Sequence, residues 1–397
     1  MIPGAETYEV SFMCVEQIGF ARMQATVLST LTTNGPELPL REDRHGTEDA
    51  SASTANRERP VPARLPRVLF VYPFPATFIK RDMDALQTFC EVTPLLFNRR
   101  SQYLTLLKSI LAADIIYCWF ALPFAAVAAI VARTVGRRVI VVAGGWDVAR
   151  IPELGYGRLL TKRGLAIARV SLGAPDLVLA FSENSKATIR EVAPRSPVRL
   201  AYLGVDADSF RPTEKEDLVV TVAQINRENV LRKGLRTFVD AAKEVPDVQF
   251  IIIGRYLDDA IDQLRAVGPS NVRFLGEVSD SDLREILGRA RVYVQASYTE
   301  GFGVALAEAM ASGCVPVVTR RGAIPEVVGE TGLYVDYGDS HELANAIREG
   351  LRSRLGAEAR ARILDRFTIT RRLDALRAAV LSLTEDLYLV PGGKRGD

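Results

Sequence analysis

From Arg67 onward, apolar runs of strand length alternate with stretches of helical period, and the alternation starts again at Leu218. The first series places strands at 67–72, 114–119, 138–143, 176–180 and 198–202. Helices fall between them, from Phe78 and over 103–112, 123–135, 157–172 and 183–192. The second series places strands at 218–222, 249–253, 272–275, 292–296, 315–318 and 332–335, followed by helices over 341–355, 357–366 and 370–387. Runs such as Val68-Leu-Phe-Val71 are apolar on both faces, as in a parallel sheet covered by helices on both sides. The chain is therefore predicted to be α/β, with two tandem Rossmann-like domains at 67–210 and 211–369, joined near 206–214, and a helix and tail at 370–397. A cleft between two such units is a natural ligand site.

Residues 1–66 depart from this pattern. Positions 41–60 contain no Ile, Leu, Val, Met or Phe. Such a segment buries too little surface to offset its ordering entropy and is expected to be disordered. Residues 1–40 are weakly patterned, with partial helix expected, and Met23 is an alternative start. No function is assigned to this leader.

The most informative block is Glu300-Gly-Phe-Gly-Val-Ala-Leu-Ala-Glu308. It lies between two strand-like runs and reads as turn then helix. The turn sits at the C-terminal end of a strand, where open α/β sheets bind ligands. The helix start offers unpaired N–H groups and a positive dipole end to an anion. Glu300 precedes the turn, and Glu308 lies along the helix. N–H groups of Gly301, Phe302, Gly303 and Val304 for phosphate, with one carboxylate on each side for hydroxyls, suit a nucleoside diphosphate sugar. In the loop opening the second series, Arg227 and Lys233 supply a fork and a point charge able to clamp a diphosphate; Arg232 competes for the Lys233 role. In the first series, Ala143-Gly-Gly-Trp-Asp147 follows a strand, so Trp146 is a candidate to stack on an acceptor and Asp147 to hold its hydroxyl. Thr77, Lys80 and Arg81 follow the first strand and are candidates for acceptor or phosphate contact.

These blocks resemble the family 4 retaining glycosyltransferases (glycosyl transferases group 1), which have the GT-B fold. The Glu300 to Glu308 stretch is similar to the family's E-x7-E motif, and the likeness continues through Ala309-Met-Ala-Ser-Gly-Cys-Val-Pro-Val-Val318, Gly322-Ala-Ile-Pro-Glu326 and Tyr202-Leu-Gly-Val-Asp206. The Arg227 and Lys233 pair keeps the family's six-residue offset, with Asn226 where the family usually has Gly. The resemblance implies a sugar transferred from a nucleotide donor with retention, without a metal or other cofactor. It implies that Glu300 holds the donor sugar, Glu308 the ribose, and Gly254 and Val278 the nucleobase. Glu326 falls in a loop beside the donor sugar, or caps its own helix. The last helix of the fold usually returns to the first domain. Many relatives place a His near the Asp147 loop, and this chain has none there.

Composition narrows the alternatives. Lys plus Arg is 50 and Asp plus Glu is 48, with no basic stripe, which argues against nucleic acid as a partner. His45 and His341 are the two histidines, too few and too scattered for a histidine-based triad or metal site. Cys14, Cys90, Cys118 and Cys314 lack metal or disulfide spacing and fit a reducing, cytoplasmic setting. Asp82-Met-Asp84, Asp206-Ala-Asp208 and Asp280-Ser-Asp282 match a D-x-D metal motif but read as caps and turns, so no metal site is assigned. The longest uncharged apolar run, 120–132, is too short to span a bilayer. The expected partners are a nucleoside diphosphate sugar and a glycan or lipid-linked acceptor. Arg99, Arg100 and Lys108 flank a short apolar stretch, allowing weak peripheral contact at the inner membrane face, although a core-facing helix explains them better. Two other readings are a nucleotide-sugar epimerase and a non-catalytic nucleotide-sugar-binding protein. A phosphorylase is disfavoured because no pyridoxal lysine is evident.

Overall fold

In the computed structural model, residues 64–388 are described. The expectations for the leader before Arg64, with Cys14 and His45, and for the tail after Tyr388 lie outside the described residues.

Twelve strands form two six-stranded sheets, every pairing parallel. The first contains β1 (Arg67–Tyr72), β2 (Glu91–Leu96), β3 (Ile115–Trp119), β4 (Arg138–Ala143), β5 (Leu177–Ala180) and β6 (Val198–Leu200), in the order β2-β1-β3-β4-β5-β6. The second contains β7 (Glu216–Val222), β8 (Gln249–Ile253), β9 (Val272–Gly276), β10 (Ala290–Gln295), β11 (Val315–Thr319) and β12 (Leu333–Val335), in the order β12-β11-β10-β7-β8-β9. Each sheet grows outward from its first strand in one direction and then restarts on the other side. The direction reverses between β1 and β3 in the first sheet, and between β7 and β10 in the second. Ligands of open α/β sheets bind outside the strand ends at such points.

Successive side chains of a strand enter different layers. Val68 and Phe70 join one core cluster, and Leu69 and Val71 another. The first of these clusters runs on into the second sheet through Leu218, Val220 and Ile251, and into the last helix through Leu376 and Val380. Each Leu- or Phe-sized side chain so buried contributes about 1.5–3 kcal/mol. The last helix, Ile369–Tyr388, packs on the helix Thr77–Gln87. There Arg372 forms a two-pronged pair with Asp82, Nε to Oδ1 at 2.8 Å and Nη2 to Oδ2 at 2.6 Å, and Tyr117 donates to the same carboxylate at 2.7 Å. The Asp82 carboxylate is thus engaged by an arginine.

The alternation read from the sequence matches the observed order, with two local differences. The edge strand β2, Glu-Val-Thr-Pro-Leu-Leu, was not anticipated. The expected helix over 157–172 begins only at Lys162: Gly157 sits at φ +113°, a 3-10 turn follows at Arg158–Leu160, and Thr161 caps the helix. Helix Tyr103–Ala112 turns Leu106 and Ile110 inward and leaves Leu104 exposed. No helix among the described residues is long and apolar enough to cross a membrane.

Candidate active site

The reversal point of the second sheet is where charge gathers. Lys233 follows the short helix Arg227–Arg232 after β7, and Glu300 lies in the loop after β10. Gly234 lets these loops meet: at φ +64°, a Cβ there would collide with the Ala296 carbonyl. Lys233 Nζ donates to Glu300 Oε1 at 2.5 Å. Ser297 Oγ donates to the same oxygen at 2.7 Å and Gln295 Nε2 at 2.9 Å. All these bonds fall on Oε1, so Oε2 is the oxygen left for a ligand. Burial works to raise the Glu300 pKa, but Lys233, Arg232 and Ser297 outweigh it and hold the carboxyl below its ordinary value. Burial, aided by Arg232, pulls the Lys233 ammonium down while Glu300 opposes it. Three donors converging on one oxygen favour the ionised form of the Glu300 carboxyl. Gln295 and Ser297 were not anticipated; the available signal was a polar residue at the end of the buried run Val292-Tyr-Val-Gln295.

Arg227 does not join this centre. Its guanidinium pairs with Asp259 at 2.7 Å on the surface, and its backbone N–H donates to Asp258. The sequence reading places Arg227 in the diphosphate clamp; in this structure two aspartates beyond β8 hold it at the surface. Arg232, weighed only as a rival, is the arginine beside Lys233.

Gly301 touches the first sheet. A Cβ there would lie 2.5 Å from the Gly144 carbonyl and 2.8 Å from the Phe181 ring. The Phe302 ring is buried against Tyr202 and Phe367, so only its backbone remains for a donor. Gly303, at φ +92°, heads the helix Val304–Ala311 and supplies no side-chain cap, leaving the first-turn N–H groups facing outward from the helix start.

Glu308 lies on that helix, buried, and accepts from Arg81 Nη2 at 2.8 Å across from the first sheet. Burial raises its pKa, and Arg81 only partly offsets this. Arg81 Nη1 is buried without a hydrogen-bond partner. Lys80, the neighbour named as a candidate, is exposed.

The remaining candidates make other contacts. Asp147 is buried and accepts from the N–H groups of Ala121 and Gly145, each at 2.9 Å, and of Gly144 at 3.4 Å. It shapes the Gly144–Gly145 turn instead of facing an acceptor, and burial raises its pKa despite those bonds. Glu326 caps another helix instead of its own: its oxygens accept from Glu183 N at 2.6 Å and Asn184 N at 2.8 Å, at the start of helix Glu183–Val192. Gly254, at φ +149°, is required because a Cβ would strike the Ala223 carbonyl, which is a packing role. Val278 is half-buried against the core beyond β9. Trp146 is half-buried, with the Arg158 guanidinium 5.7 Å from its ring centre. Ser279, not Asp280 or Asp282, caps the helix Asp280–Arg289.

Two six-stranded parallel sheets, meeting at Gly144 and Gly301 with an ion pair at the second reversal point, define the GT-B architecture. Residues 216–353 match the family described as Glycosyl transferases group 1. That match falls on the second sheet, the part of the chain whose sequence blocks resemble the same family. The phosphatidyl-myo-inositol mannosyltransferase of Mycobacterium tuberculosis (strain H37Rv) is 35% identical over 162 residues, covering 37% of this chain and 42% of that protein. This chain therefore spans less than half the length of that relative. The N-acetyl-alpha-D-glucosaminyl L-malate synthase of Bacillus anthracis is 25% identical over 281 residues, covering 64% of this chain and 71% of that protein. HepE of Anabaena, crystallised with UDP and glucose, shares the fold with a TM-score of 0.66 at 19% identity, over 80% of this chain and 100% of HepE.

Proposed function

We propose that this chain transfers a sugar from a nucleoside diphosphate sugar to an acceptor hydroxyl in glycan or glycolipid synthesis, with retention at the anomeric carbon and without a divalent ion. The observation that carries this reading is the Lys233–Glu300 pair at the reversal point of the second sheet, beside an uncapped helix start. Glu300, held through Oε1, presents Oε2 to hydroxyls of the donor sugar. Lys233 places positive charge where the diphosphate gains negative charge as its bond to the sugar breaks, which is where stabilisation accelerates the reaction. The first-turn N–H groups of Val304–Ala311 add donors for phosphate, and Glu308 faces the ribose. The anomeric carbon loses the phosphate oxygen and gains the acceptor oxygen on the same face, and the acceptor proton passes to the departing phosphate. The UDP bound in HepE and the phosphatidylinositol acceptors named for relatives support a nucleotide donor and a lipid-linked or glycan acceptor.

The test is incubation with UDP-glucose, UDP-N-acetylglucosamine and GDP-mannose, following release of nucleoside diphosphate and the anomeric form of the sugar. Slow release from one donor, with the anomeric configuration kept and unaffected by chelator, is the expected result. Epimerised donor, or no release from a donor that binds, contradicts the reading.

A further inference from the structure

The reversal point of the first sheet carries aromatic rings where that of the second carries charge. Residues 73–79, after β1, and 119–122, at the end of β3, include Phe74, Phe78, Trp119 and Phe120 and no charged side chain. The Phe74 and Phe120 rings stack with centroids 5.7 Å apart. Trp119 packs 5.3 Å from Phe78 and 5.5 Å from Phe120. It also lies 6.3 Å from Phe181, the ring that a Cβ on Gly301 would approach to 2.8 Å. The aromatic group therefore runs from the donor turn to the loop after β1. Trp119 and Phe181 are buried, whereas Phe74, Phe78 and Phe120 are half-buried and keep accessible surface at the strand ends.

Phe120 sits at φ +73°, the one non-glycine residue with a positive φ among the described residues. Its N–H still donates to Val142 O at 2.7 Å, and the next N–H, of Ala121, donates to Asp147. Glycine takes this conformation freely; a side chain makes it costly, so such a residue persists where its surroundings or its use demand it. The surroundings here are apolar: the Trp119 Nε1–H is buried without a hydrogen-bond partner. A bare sugar carries several hydroxyls and needs polar partners for them on leaving water. The carboxylate of the neighbouring loop, Asp147, is already occupied by the N–H groups of Ala121, Gly144 and Gly145. The surface that remains suits an apolar group.

We propose that the wall formed by Phe74, Phe78 and Phe120 binds an apolar substituent of the acceptor, an alkyl chain or an aryl ring, with Phe120 as its central contact. This rests on the sugar-transfer reading above and adds the chemical class of the acceptor: an alcohol or glycoside that carries an apolar group, instead of a bare sugar. The wall adjoins the donor turn through Phe181 and Gly301, so a substituent held there keeps its acceptor beside the donor.

The experiment is calorimetric titration of the full chain, saturated with whichever of UDP, GDP and ADP binds, with methyl, n-hexyl and phenyl glucosides as monomers. The hexyl or the phenyl glucoside is expected to bind about tenfold more tightly than the methyl glucoside, the scale of burying about two methylene groups. Preference for hexyl alone marks a lipid acceptor, and for phenyl alone an aromatic one. Phe120→Gly relieves the backbone while removing the ring, so it should fold, bind the nucleotide and lose the preference. If it does not fold, Phe74→Ala decides by the same loss. Three glucosides that bind alike, or not at all, overturn this inference and leave the functional reading standing. A preference that survives in folded Phe120→Gly and Phe74→Ala overturns it as well. Absence of binding by any nucleotide to folded wild type overturns both.

Discussion

Arg81 and Glu308 join the two sheets: Nη2 of Arg81 donates to Oε1 of Glu308 at 2.8 Å, at the carboxylate proposed to face the ribose. A donor must therefore use the other carboxylate oxygen or displace Arg81. Under this account, wild type binds its nucleoside diphosphate more tightly than the 2′-deoxy analogue, by about tenfold for a hydrogen bond to a charged group. Glu308→Gln should bring the two affinities together. Undiminished discrimination in Glu308→Gln would remove Glu308 from the ribose.

The Lys233–Glu300 pair is predicted to matter more to turnover than to stability. Lys233→Ala and Glu300→Ala should each lower donor turnover by about 10²–10³, the scale of losing one preorganised group in a reacting centre. Thermal unfolding should show that both remain folded. Near-wild-type turnover in both would dismiss the site.

The last helix is held by a buried ion pair. The Arg372 and Asp82 side chains are 1% and 2% exposed. Arg372→Met leaves the Asp82 carboxylate uncompensated and should destabilise the protein by about 3–5 kcal/mol. The double variant Asp82→Leu/Arg372→Met should recover much of that loss. Denaturant unfolding of the two variants measures the difference, and equal destabilisation would show that charge is not the cause.

Asp114 should govern part of the acid sensitivity. Burial works to raise its pKa, but hydrogen bonds from Arg64 and Arg67 outweigh burial and hold the carboxyl well below the carboxylate range. A folded-state pKa below the unfolded value means a stabilising contribution that is fully present above the unfolded value of about 3.9 and is lost as pH falls through the folded value. Asp114→Asn should lower the melting temperature at pH 7 and flatten its fall towards acid. A parallel fall in both proteins would contradict this.

The fold was legible because both-face burial leaves long apolar runs, and β3, β4, β8 and β11 all read that way. β2 escaped because an edge strand need not be apolar: Glu91 and Thr93 are exposed, and Pro94 is tolerated at an edge. Glu300 and Glu308 stand out because they flank one turn and helix, whereas Lys233, 67 residues before Glu300, stands out only within its own loop. The contacts of Arg227, Asp147 and Glu326 were not legible because their partners lie far along the chain or depend on loop geometry. Nothing in the sequence places Asp259 beside Arg227, or the start of helix Glu183–Val192 beside Glu326. Arg81 was named for acceptor or phosphate contact, but its bond to Glu308 joins positions 227 residues apart, a contact that no linear motif records.

The most direct test of the central claim is calorimetric titration of wild type and Lys233→Ala with UDP, GDP and ADP. The account predicts that one of the three binds wild type and that Lys233→Ala loses at least about tenfold of that affinity, the scale of a charge-assisted contact. A folded wild type that binds none of them, or a Lys233→Ala variant that binds as tightly as wild type, would contradict it.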